Sequence, residues 1–155
     1  MADATADDER FLRRAIELAR AAAEHGNEPF GSILVHDGSV IAESENTIVT
    51  DDDITAHPEL KLARWAASDL DAETLAETTM YTSTQPCAMC QGAIHIAGLD
   101  RVVYSVPGER AEELSPRDGA VPPASMLADG AVRMDGPLLQ DAGELVHEEC
   151  WGEVQ

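Results

Sequence analysis

Two short runs hold the residues able to do chemistry, His57-Pro58-Glu59 and Pro86-Cys87-Ala88-Met89-Cys90. Together they offer an imidazole, a carboxylate and two thiolates. Zinc prefers tetrahedral nitrogen and sulfur donors, and a catalytic zinc keeps three protein ligands and one open position. His57, Cys87 and Cys90 supply three such donors. Cysteines three apart at a helix start share one face, and the positive end of the helix favours their thiolates. Water bound at such a site loses its proton near neutral pH and becomes a hydroxide nucleophile. Glu59 lies two residues from His57 in the same first turn. It is not required as a ligand. Its expected work is general acid/base transfer, taking a proton from water and passing it on.

Other readings of the same residues stay open at this point. Cys-Ala-Met-Cys by itself also suits a structural zinc knuckle or a thiol-redox pair. A redox pair usually sits in a thioredoxin-like context, and nothing upstream suggests one. A four-thiolate structural site is disfavoured because Cys150, the third cysteine, stands far away near the end of the chain. It reads as a small buried hydrophobe. Three cysteines are too few for a disulfide framework.

The elements that must position these groups follow from periodicity. From Asp8 to His25, Phe11, Leu12, Ala15, Ile16, Ala19, Ala22 and Ala23 recur at helical spacing, and Gly26 stands where a C′ glycine ends a helix. Gly31 to His36 and Val40 to Ser44 are strands joined through Asp37-Gly38, a hairpin signal. Asn46 to Thr55 is polar and aperiodic, which predicts a loop. A second helix starts at His57, with Pro58 in its first turn, buries Leu60, Leu62, Ala63, Ala66, Ala67 and Leu70, and exits at Asp71. Thr79 to Ser83 reads as a strand, Cys87 to Ala97 as a third helix stopped by Gly98, and Arg101 to Val106 as a strand. After Pro107 the pattern weakens. Pro116, Pro122 and Pro123 with Asp118-Gly119 predict a long loop, with a short helix near Ser125 to Leu127. Ala131 to Met134 predicts an edge strand and Asp141 to Trp151 a last helix. This order predicts one α/β domain over residues 1–155, layered around a single mixed sheet, with 107–155 a less regular segment.

Composition narrows the class. A length of 155 residues suits one domain and one core. No apolar run is long enough for a membrane span, and Met1 to Asp8 lack a secretory pattern, so a cytoplasmic location is expected. Asp and Glu number 30 against 10 Lys and Arg, a formal net charge of -20, and Lys61 is the only lysine. Scarce lysine with excess acid points to a halophilic source rather than an acidic mesophile. The same charge disfavours nucleic acid as a partner. Arg10, Arg13, Arg14 and Arg20 cluster early, but Glu9, Glu17 and Glu24 interleave them, predicting a paired helix face rather than a nucleic-acid arm.

The joint order H-x-E, then P-C-x-x-C, is the signature of zinc-dependent nucleobase deaminases. Pro29 to Tyr104, about half the chain, resembles the cytidine deaminase superfamily, in the branch of bacterial guanine deaminases and tRNA adenosine deaminases. Pro29-Phe30-Gly31, Asn46 after the hairpin, Thr55-Ala56-His57, Tyr81-Thr82-Ser83 and Gly92-Ala93-Ile94 fall in that branch's order. The resemblance implies a three-layer α-β-α sandwich around a mixed five-stranded sheet. It implies one zinc on His57, Cys87 and Cys90, and Glu59 as proton shuttle. Asn46 would hydrogen-bond the base, with Phe30 and the backbone near Ala56 lining the pocket. Trp151 would close the site from the C-terminal segment, often across a swapped homodimer; packing in the last helix is its plainer role. A turn-capping asparagine is the plainer reading of Asn46.

Departures from the pattern are Pro58 between histidine and glutamate, Gln85 where a glutamate usually precedes Pro86, and His95, read as a surface or satisfied histidine. Glu109, Glu112 and Glu113 are weak candidates for a second proton relay. The expected activity is hydrolytic deamination of a free aminated nucleobase, guanine favoured, releasing ammonia. Cytosine, a triazine, a wobble adenosine in tRNA, and a non-catalytic zinc-stabilised interaction module are the alternatives. The acidic tail from Glu144 to Glu153 ranks the tRNA reading lower, and Glu59 argues against the silent module.

Overall fold

The approach of the first helix to the first strand is set by Gly31. A β-carbon there would stand 2.5 Å from both the Ala15 oxygen and the Ala19 nitrogen, so only glycine lets the two backbones meet. In the computed structural model, which describes residues 4–116 and 132–152, helix α1 runs Ala6–Glu24. It starts earlier than periodicity suggests because Thr5 and Asp8 cap it reciprocally, each side chain accepting from the other's backbone N–H. Gly26, at φ 88°, ends it as expected. Strand β1 (Gly31–His36) turns through Asp37 and Gly38, both at positive φ, into β2 (Ser39–Glu45). That is the two-residue hairpin that Asp-Gly predicts.

The expected loop after β2 contains a short helical turn, α2 (Ile48–Asp51). Its orphan amides are satisfied by distant side chains, since the Asn27 Oδ1 accepts from Val49 N and Thr50 N. Helix α3 is Pro58–Asp69, with His57 as its N-cap and Pro58 in its first turn. Of its expected buried face, Leu62, Ala63 and Ala66 are buried, Leu60 and Leu70 half-buried and Ala67 exposed. Asp71 does not close α3 but opens a further short helix, α4 (Ala72–Ala76), by accepting from Thr74 N. Strand β3 (Thr78–Thr84), helix α5 (Ala88–Ala97), ended by Gly98 at φ 92°, and strand β4 (Arg101–Val106) follow as predicted to within a residue or so.

Beyond β4 stands a helix the sequence did not announce, α6 (Gly108–Leu114). Strand β5 covers Arg133–Asp135 and α7 covers Gln140–Trp151. The proline-rich loop past Pro116 and the short helix expected near Ser125 lie outside the described residues.

The five strands form one sheet in the order β2-β1-β3-β4-β5. β1 is antiparallel to β2 and β3, while β3, β4 and β5 are parallel. On one face α1 and α7 pack over Ile33, Val35, Tyr81 and Val103. On the other, α3 and α5 pack over Leu34, Met80 and Val102. The result is the expected three-layer α-β-α sandwich on a mixed five-stranded sheet. α7 is seated on β4 of its own chain, where Gly143 fits against Ser105 and Val106 with no room for a side chain. No helix among the described residues is long and apolar enough to cross a membrane. Of the early arginines, Arg14 pairs with Glu17 on its own helix as expected, but Arg14 also reaches Glu43, Arg10 pairs with Asp7 and Arg20 with Glu149, partners outside the expected set.

Candidate active site

Two helix N-termini converge at the site. His57 caps α3, Cys87 caps α5, and Cys90 follows in the first turn of α5. The packing of α3 on α5 brings the His57 Nδ1 to 3.4 Å from the Cys90 Sγ and 3.7 Å from the Cys87 Sγ. All three donor atoms lie within 4.8 Å of one another. Zinc–sulfur and zinc–nitrogen bonds of about 2.3 and 2.0 Å in a tetrahedron put nitrogen and sulfur about 3.5 Å apart. The three side chains thus already stand at the edges of a zinc tetrahedron. Gln91, buried in α5, steadies the turn before it by donating from Nε2 to the Pro86 oxygen at 2.9 Å.

Electrostatics fit a cation at this point. The Cys90 thiol donates toward Cys87, and with the nearby His57 ring this outweighs burial and holds the Cys87 thiol down to about 4. Cys90 is pushed up in turn, by that same bond and by burial. Burial lowers the His57 pKa, but the Cys87 thiolate and the Glu59 carboxylate raise it by more. Glu59, the second residue of α3, is buried beside them, and desolvation pushes its carboxyl up to about 7 against the pull of His57. A carboxyl that titrates near neutrality is suited to both taking and giving a proton.

Asn46, Phe30 and Ala56 form a connected group next to the cage. Asn46 N donates to the Phe30 oxygen, and Thr47 N donates to the Ala56 oxygen, one residue before His57. The Asn46 Oδ1 accepts from Ile48 N at 3.0 Å, which is the turn-capping role. That bond also fixes the amide, and its Nδ2, on a residue only 1% exposed, has no protein partner. Leaving a buried donor unmade costs about 1–3 kcal/mol. Both roles considered for Asn46 are therefore compatible. Ala56 has its N–H and its oxygen engaged, by Asp53 and Thr47, so it contributes shape rather than a polar contact.

Trp151 reaches the group through Phe30, with ring centroids 5.8 Å apart. It stacks on His147 at 4.5 Å and 9°, and its Nε1 donates to the Glu28 Oε2 at 2.8 Å.

Several groups were invisible to sequence reasoning. Ser32 stands against Glu59, and His147 is buried between Phe30 and Trp151, with one ring nitrogen 2.8 Å from the Thr84 Oγ1. A polar residue inside the apolar run of β1 was the available signal for Ser32; for His147 there was none. Gln85 does not face the cage as a missing charge would suggest. Its Oε1 accepts from Gly108 N and pins the start of α6. His95, Glu109, Glu112 and Glu113 are exposed, and Glu113 pairs with Arg110. Cys150 is half-buried rather than buried.

The sequence model of the cytidine and deoxycytidylate deaminase zinc-binding region matches residues 5–106, which hold every residue of the cage and its surroundings except α7. The chain belongs to this zinc-binding deaminase family. The family's metal is zinc, in keeping with the donor set found here. Among deaminase relatives, a probable cytosine deaminase from Schizosaccharomyces pombe is 32% identical over 154 residues, 93% of this chain and 92% of that one. A guanine deaminase from Bacillus subtilis is 42% identical over 106 residues, 68% of each chain. In structure, a tRNA:A34 deaminase that edits A to I at the wobble position of transfer RNA aligns with TM-score 0.70 and 29% identity. That alignment covers 89% of this chain and 99% of the other.

Proposed function

We propose that this deaminase hydrolyses the exocyclic amine of a free aminated nucleobase, with guanine the favoured base. The observation that carries the reading is Glu59, a carboxyl buried in the first turn of α3 beside a nitrogen–sulfur–sulfur cage. A structural zinc needs no such carboxyl, and burying one is costly. His57, Cys87 and Cys90 would hold zinc, which when bound supplies an activated water. Glu59 takes a proton from that water and delivers it to a ring nitrogen as the new C–O bond forms. It then takes the second proton from the new hydroxyl and passes it to the departing amine; the C–N bond breaks, the hydroxyl carbon becomes a carbonyl, and ammonia leaves. The Asn46 Nδ2 donates to an acceptor on the edge of the base, Phe30 and Ala56 shape the pocket, and Trp151 closes it from α7.

Guanine is supported by the 42% identity to the Bacillus guanine deaminase, which spans the whole cage. Cytosine is the second reading, favoured because the Schizosaccharomyces relative aligns along nearly the full chain. The acidic tail weighs against a tRNA substrate. A homodimer is expected, and light scattering reads it directly. The deciding experiment is an ammonia-release screen of the zinc-loaded protein over free bases, nucleosides and a wobble-adenosine tRNA stem. Release from guanine, with cytosine next, is the expected result; inosine formed only in the tRNA stem would overturn the reading.

A further inference from the structure

Ser32 is fully buried in β1, where a hydroxyl is costly unless it is bonded. It is the register partner of Thr82 on the neighbouring antiparallel strand, which sets both side chains on one face of the sheet. Its Oγ lies 2.7 Å from the Thr82 Oγ1 and 3.1 Å from the Glu59 Oε1. Each hydroxyl carries one proton, and an ionised carboxylate only accepts. When Glu59 is ionised the Ser32 proton goes to it and the Ser32 oxygen accepts from Thr82; when Glu59 is protonated Ser32 donates to Thr82 instead. The Thr82 alternatives, the oxygens of Gly31 and Thr84, are longer at 3.4 and 3.3 Å.

We propose that Ser32, itself in contact with Thr82, is a positioning residue that fixes Oε1 of Glu59 and so sets the rotamer of the carboxyl that moves protons. This rests on Glu59 being the proton carrier of the deamination. Glu59 lies on α3 whereas Ser32 lies in the sheet beneath it, so the bond ties the reacting helix turn to the most rigid layer of the molecule. A carboxylate held by one oxygen keeps a single rotamer, and a misplacement of about 1 Å costs about a hundredfold in rate. Without Ser32 the Thr82 proton still has two backbone oxygens in reach, so no buried donor is stranded.

The test compares zinc-loaded wild type with Ser32→Ala, Thr82→Val, Thr82→Ser and Glu59→Gln. Ser32→Ala is expected to lower kcat by about ten- to a hundredfold, the worth of one hydrogen bond to a charged group. KM and zinc content should stay within about twofold, because neither ground-state binding nor the cage is touched. Thr82→Val, which leaves Ser32 in place, should cost less, and Thr82→Ser should restore wild-type kcat. Crystal structures of the zinc-loaded wild type and Ser32→Ala give a readout that needs no substrate. The carboxylate of Glu59 should be ordered against Ser32 in the first and turned or split in the second. Wild-type kcat in Ser32→Ala, an unmoved carboxylate, or a loss of kcat that only follows loss of zinc overturns the proposal. Glu59→Gln with full turnover would instead sink Glu59 as the proton carrier, while the pair of crystal structures still decides whether Ser32 holds that side chain.

Discussion

Glu59 is expensive where it stands. A carboxyl buried beside two thiols is costly to folding, and the proposed part in proton transfer accounts for it. Glu59→Gln keeps the shape and removes the exchangeable proton. It is expected to retain one zinc per chain by metal analysis and to lose about 10²–10⁴ of kcat. Asn46 offers a finer cut. Asn46→Asp keeps the oxygen that accepts from Ile48 N but deletes the unpartnered Nδ2. Tm should fall by the cost of burying a new carboxyl, while in the protein that remains folded kcat/KM for the best base should fall about ten- to a hundredfold, as for a lost substrate hydrogen bond. Unchanged kcat/KM would remove Asn46 from substrate recognition. The four residues of the cage and shuttle were legible because metal chemistry dictates residue type and spacing within each run. Ser32 was not, because its meaning arises only when Thr82, fifty residues on, becomes its register partner.

At the scale of elements, the long helices and paired strands announce themselves, since their apolar faces repeat at 3.6 or 2 residues. The short helices do not. α2 is organised by Asn27 from before β1, α4 by the single cap Asp71, and α6 by the Gln85 side chain. Such bonds leave no periodic trace. α7 brings Trp151 against Phe30, and it carries a buried histidine. Burial lowers the His147 pKa to about 4, with Glu144 pulling weakly the other way. Above about 6.5 the ring is neutral whether the chain is folded or not, and its packing contributes in full. As pH falls from about 6.5 to 4 the unfolded chain binds a proton the folded one refuses, and stability drains away. Relative to His147→Gln, which cannot titrate, the wild type should lose about 3 kcal/mol across that window by urea denaturation. Parallel curves for the two proteins would show that this histidine is not sealed in by α7.

For the whole molecule, charge dominates. A formal net charge of -20 on 155 residues implies net repulsion among the acidic side chains. Some are locally neutralised, as where Arg14 bridges Glu17 and Glu43, or where Arg101 joins Asp8 and Asp135. With 10 Lys and Arg against 30 Asp and Glu, acids outnumber bases three to one. Their mutual repulsion is a property of the folded state, because unfolding moves the charges apart. Salt shortens the reach of that repulsion from about 10 Å at 0.1 M to about 3 Å at 1 M, while the buried cores of both sheet faces are indifferent to screening or tightened by it. The fold should therefore gain stability as potassium chloride rises from 0.1 to 2 M. A relief of about 3 kcal/mol would lift Tm by about 6–12 °C for a chain of this size. Ion pairs on the surface weaken over the same range, but exposed pairs are worth less than about 1 kcal/mol each, so repulsion sets the sign. A Tm that is flat or falls with salt would mean that the acidic surface is ordinary solubility rather than adaptation to a saline interior. The same titration bears on substrate choice: a neutral free base meets no repulsion at any salt, so its kcat/KM should vary only as far as the fold does, whereas turnover of a polyanionic RNA would climb steeply as its repulsion is screened.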